Sequence, residues 1–211
     1  MKLSVTKLEN ARFDPKSVAA ELGKKSGFGN NGSFKGTFSN YIGRFHHEDI
    51  EIEKLHALLS DAFKLSFVAN ADNERRAVKY CDAFLAYTKF MDENGFGLDN
   101  NYTLINWKVL PDAFLGGRSP ILCSNDTRNI AFSIEENTLP WYNQLKYPLF
   151  QMYLAERYYQ CEVDKVEVGI FNIHTGQFEL KIFEDVELDN AFEETKNVLK
   201  KVKYHYDNPL S

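Results

Sequence analysis

The sequence predicts an α+β fold: a mixed β-sheet of about five strands flanked by helices, preceded by an N-terminal helical arm. Three observations carry that expectation. Apolar residues recur at helical spacing through several long stretches. Val166–Ile173 and Phe178–Phe183 alternate as the two arms of a β-hairpin around His174–Gln177. Finally, 211 residues that are 44% hydrophobic, with 17 Phe and 11 Tyr, supply a core large enough for one cooperative unit.

Pro15 suits the first position of a helix after Asp14, and Val18, Ala19 and Leu22 follow at helical spacing up to Gly23. Ser26–Gly43, rich in Gly, Asn and Ser, reads as a loop whose Phe28, Phe34, Phe38 and Tyr41 pack on the body. Within it Gly27–Gly32 matches G-x-G-x-x-G. With a helix before it and loop after it, the match is read as coincidental, because phosphate cradles need a strand before and a helix after. A helix is expected over His46–Phe67, with Ile52, Leu55, Leu59 and Ala62 facing the core. His46, Asp49, Glu53 and His56 lie along its flank, a solvated polar stripe or a contribution to a metal site.

A second helix is expected over Ala71–Asn94, marked by Ala77, Cys81, Phe84, Thr88 and Met91 and stopped at Gly95. Strands follow at Tyr102–Val109, Ile121–Cys123 and Ile130–Ile134, with Leu110-Pro111-Asp112 ending the first. Trp141–Tyr159 and Glu187–Lys203 read as helices, and Tyr204–Ser211 as a frayed tail. The expected organisation is a basic arm and Gly-rich loop over 1–44, an α/β core over 45–203 and a tail over 204–211.

Net charge is −5, but unevenly spread. Residues 1–44 hold eight Lys/Arg against three acids, so the remaining 167 residues carry −10. A basic arm on an acidic body suits a polyanion such as nucleic acid, or simply complements the acidic body or a second subunit. The stretch MKLSVTKLENARFD has no apolar signal region, no run is long enough to span a bilayer, and Cys81, Cys123 and Cys161 lack CxxC spacing. A cytoplasmic protein with reduced thiols and no membrane partner is expected.

Two acidic points stand at expected strand ends, Asp112 and the Glu135-Glu136 pair. Carboxylates on adjacent strand ends can hold a divalent ion that polarises a phosphodiester and generates hydroxide; ordinary solvated carboxylates are the alternative. Leu110-Pro111-Asp112, Ile134-Glu135-Glu136-Asn137, and a following helix with Gln144 and Gln151 together resemble the motifs of the PD-(D/E)XK nuclease superfamily, RecB-like branch. The resemblance implies a restriction-endonuclease-like core over about residues 43–203 that binds DNA or RNA. It also implies Mg²⁺ or Mn²⁺ held by Asp112 and Glu135, with His46 or His47 as an extra ligand. Asp112, Glu135, Asn137 and Gln144 form the catalytic set it implies, with Gln151 as the alternative to Gln144. Asn137 stands where the family carries lysine, so either Lys108 or Lys146 supplies the cation or the scaffold binds without cutting. Asp126 is the rival for the first carboxylate. Lys24, Lys25, Lys35 and Arg44 are expected to meet phosphates. The alternative function is a non-enzymatic interaction protein that offers its acidic body and aromatic loop to another protein; self-association stays open.

Overall fold

The computed structural model describes residues 1–22, 33–136 and 140–209. Fifteen regular elements are described: β1 (Lys2–Ser4), α1 (Leu8–Phe13), α2 (Pro15–Leu22), α3 (Phe34–His47), α4 (Ile52–Ser66), α5 (Ala71–Asn94), β2 (Gly97–Asn100), β3 (Leu104–Leu110), β4 (Ala113–Arg118), β5 (Ile121–Ser124), β6 (Asn129–Glu135), α6 (Lys146–Leu154), β7 (Val166–Asn172), β8 (Gln177–Lys181) and α7 (Asp185–Asp207).

The fold is α+β, with a mixed five-stranded sheet of order β2-β5-β6-β7-β8 flanked by helices. Only β6 and β7 run parallel, joined through α6; the other neighbours are antiparallel. Alternation along β6 divides its side chains between two cores. Ile130, Phe132 and Ile134 face α3, α4 and α5, whereas Ala131 faces α6, α7 and the N-terminal elements. The first core is dense in aromatic rings: Phe34 stacks on Phe67 at 4.0 Å, and Phe38 meets Tyr80, Phe84 and Phe171. Each such pair adds about 0.5–1.5 kcal/mol beyond burial.

Three expectations are corrected. Residues 34–43 form most of α3 rather than a loop. Ser33 caps the helix by accepting a hydrogen bond from the Gly36 amide, and Phe34, Phe38, Tyr41 and Ile42 bury one face. The helix expected over His46–Phe67 is two helices, broken at Glu48–Glu51, where Arg44 turns back to pair with Glu48. The C-terminal helix runs on to Asp207 and begins with a capping box between Glu184 and Glu187. The Gly27–Gly32 motif lies outside the described residues.

A second, three-stranded sheet of order β1-β4-β3 stands beside the first. Its β3–β4 hairpin turns at Pro111-Asp112, and β1 pairs parallel to β4. Residues 1–22 thereby join the body: α2 packs on α7, and Arg12 pairs with Glu194. No described helix is long and apolar enough to cross a membrane.

Candidate functional site

The parallel strands β6 and β7 end side by side at Glu135 and Asn172. Crevices beyond the carboxyl ends of parallel strands are where open α/β sheets commonly hold ligands. Here Glu135 accepts from Lys35 of α3 at 2.7 Å and lies 3.8 Å from Lys146, the first residue of α6. Burial lowers the Lys146 pKa, and Glu135 works in the opposite direction. One carboxylate thus meets two ammonium groups, with Glu9 in electrostatic reach of Lys146 and Glu136 of Lys35. The fully buried Tyr147 hydroxyl lies by Ser133 and Glu135 without a well-formed hydrogen bond, its pKa raised mainly by burial.

Next to this cluster is a cleft of about 480 Å³ between α3, the β5–β6 hairpin and two linkers. Lys35, Ser39 and Asn40 line it from α3, Asn101 and Tyr102 from the β2–β3 linker, and Arg118 from the end of β4. Arg118 lies over the Tyr102 ring, 4.4 Å from its centroid. Among the described residues it is the one arginine without a carboxylate partner; the others pair with Glu194, Glu48, Asp72, Glu136, Glu167 and Glu156. The linkers are tied together by Ser119, whose Oγ accepts from the Thr103 amide at 2.8 Å and whose amide donates to the Thr103 carbonyl at 2.9 Å. Gly117, at φ +139°, supplies the backbone turn that sets Arg118 on the rim; a side chain there would be strained.

The expected metal set is not brought together. Asp112 sits at the β3–β4 turn of the smaller sheet, 3.0 Å from Lys203, whose hydrogen bond lowers its pKa. Glu135 ends a strand of the larger sheet and meets cations instead of a second carboxylate. Asp126 precedes β6 while Glu135 ends it, so the strand's length, about 20 Å, lies between them. Glu136 is bonded by Arg76 and Tyr80 of α5 at 2.6 Å each; burial opposes its charge, but those bonds prevail and lower its pKa.

His46 lies eleven residues along α3 from Lys35, a rise of about 16 Å, and bonds the Tyr87 hydroxyl at 2.9 Å. The helix break removes the continuous His46–His56 stripe. Among the described residues no group of three His, Cys, Asp or Glu side chains is placed to hold a metal. The donors present do not fit a divalent ion of the kind the resemblance implies.

Burial, reinforced by His47, lowers the His46 pKa from 6.5 to about 4. The unfolded chain therefore binds this proton more readily than the folded one. Stability from the neutral imidazole is complete above pH 6.5 and lost as pH falls toward 4. Discounted for partial exposure, the expected loss is on the order of 1–2 kcal/mol. Urea melts at pH 7 and pH 4.5 should show a difference that shrinks in His46→Gln; an equal drop in both proteins would refute it.

The other expected residues are dispersed. Lys24, Lys25 and Asn137 lie outside the described residues. Arg44 is engaged by Glu48 and lies over Tyr41, one helical turn beyond Asn40 of the cleft lining. Lys108 is on β3, so of the two substitute lysines Lys146 is the one beside Glu135. The Gln144 backbone closes the turn Trp141–Asn143, and Gln151 is fully buried among backbone groups. Sequence reasoning missed Arg118, Tyr102 and Ser119. The run Gly116-Gly117-Arg118-Ser119-Pro120 was the signal available, a strand end bent toward a rim. No family model matches the chain, and no curated protein matches it, so the reading of the cleft rests on its geometry.

Proposed function

We propose that the protein binds nucleic acid, with phosphates drawn into the cleft by Lys35 and Arg118. One observation carries this: the cleft lining contains no carboxylate and two cations, Arg118 without a carboxylate partner and Lys35 shared with Glu135 just outside it, on a chain whose net charge is −5. An arginine with no acidic partner keeps its planar fork of donors for a phosphate. Lys146 adds positive potential behind Glu135. The free thiols Cys81, Cys123 and Cys161 support an intracellular setting. The geometry favours binding over cleavage, because Glu135 is neutralised by lysines and shares no partner with Asp112.

Fluorescence anisotropy with labelled DNA and RNA at low salt tests the proposal. Arg118→Glu should weaken binding at least tenfold, about 1.4 kcal/mol, without lowering the melting temperature, and Lys35→Ala should weaken it less. Wild-type protein that leaves every probe unbound at low salt would sink the reading. Added Mg²⁺ should yield no cleavage products; Mg²⁺-dependent nicking that disappears in Glu135→Ala would restore the nuclease reading. A second reading, a protein partner, is favoured by Leu65 and Val68, 88% and 78% exposed around the α4–α5 turn.

A further inference from the structure

We infer that the cleft takes one nucleoside phosphate at a time, with its phosphate on Arg118 and Lys35 and its base stacked at Tyr102. This rests on the reading of the cleft as a phosphate site and names what enters it. Phosphate attraction alone explains neither the aromatic ring nor the shape. Tyr102 is 41% exposed although its ring is large and apolar, and it lines the same cleft as the unpaired arginine. Rings presented beside cations are how proteins hold unpaired bases, since every base has a face to stack and a phosphate within reach.

The platform is held in place before any ligand arrives. Ser119 fastens the Tyr102-Thr103 linker to the Arg118 linker through two hydrogen bonds, and Arg118 is held over the ring rather than drawn away by a carboxylate. A ligand therefore pays little to order either group. The cleft volume, about 480 Å³, lies in the range of small-ligand sites. A duplex keeps its bases stacked inside and presents only phosphates to such an opening, whereas an unpaired nucleotide fits whole.

Ser39 and Asn40 on α3 and Asn101 on the facing linker carry hydroxyl and amide groups into the lining, and none is engaged by a described hydrogen-bond partner. Such groups suit the polar edge of a base. The shared chemistry is a nucleoside phosphate, either free or as one residue of a single strand.

Equilibrium binding of four probes tests this: adenosine monophosphate, a single-stranded octanucleotide, the same octanucleotide with abasic sites, and a blunt duplex. The octanucleotide should bind at least tenfold tighter than its abasic form or the duplex. Tyr102→Leu should abolish that preference and Tyr102→Phe should retain it. Adenosine monophosphate binding that is lost in Tyr102→Leu, with no preference for the single strand, would also support the inference and assign the site to free nucleotides. Equal binding of intact, abasic and duplex probes, insensitive to Tyr102→Leu but lost in Arg118→Glu, would overturn the inference and leave phosphate binding standing. No binding of any probe would overturn both.

Discussion

Gly169→Ala is expected to cost about 3 kcal/mol and to lower the melting temperature by roughly 6–12 °C, if the protein accumulates at all. A β-carbon at position 169 would fall on the Glu179 carbonyl oxygen and crowd the Leu180 Cα, all of it backbone. Those atoms belong to β8, paired antiparallel with β7 across Gly169 and Leu180. A clash with a flexible side chain relaxes cheaply, but here the two strands must part. Strand β7 is also the parallel neighbour of β6, so any shift propagates to the strand that ends at Glu135. Urea denaturation of Gly169→Ala gives the comparison. A midpoint within error of wild type would show that β8 can move aside.

Gln151→Met is expected to cost a similar amount for a different reason. The Gln151 amide donates to the Val163 and Phe183 carbonyls at 3.1 Å each and accepts from the Phe183 amide at 2.8 Å. Methionine keeps the volume but leaves those buried backbone groups unpaired. At about 1 kcal/mol or more for each, the loss is about 3 kcal/mol. The bonds tie α6 to the residues just after β8 and just before β7, which keeps the helix seated against the sheet. On the proposed function, folded Gln151→Met should bind nucleic acid as the wild type does, because Gln151 does not line the cleft. Loss of binding with unchanged stability would instead place Gln151 in the site.

Sequence reading succeeds where a signal is local and stops where distant segments meet. Local rules found α5 through its apolar stripe and the Gly95 stop, and the structure adds Asn70, which accepts from the Asn73 amide at the other end. They also found the β7–β8 hairpin, because alternation needs no distant information. Composition misled at α3. Gly, Ser and Asn outvoted a buried stripe of Phe34, Phe38, Tyr41 and Ile42 whose spacing was helical all along. The smaller sheet was illegible because β4 carries two glycines and its partner β1 is far away in sequence, with Met1 and Asp112 separated by 111 residues. That sheet decides the site, for it carries Asp112 to the α7 side while Glu135 stays on the larger sheet. Whether an arginine is paired, as at Arg118, is set by tertiary neighbours alone.

The smaller sheet and the Arg12–Glu194 pair also set an order of events in synthesis. Strand β1 finds β4 only after residues 113–118 exist, and α1 and α2 find α7 only after residues 185–207 exist. The aromatic layer of α3, α4 and α5 can gather from neighbouring segments, at small loop-closure cost. On the ribosome, then, α1 and α2 emerge long before the helix that buries them, and Leu8, Val18 and Ala19 stay in the reach of chaperones until α7 arrives to cover them.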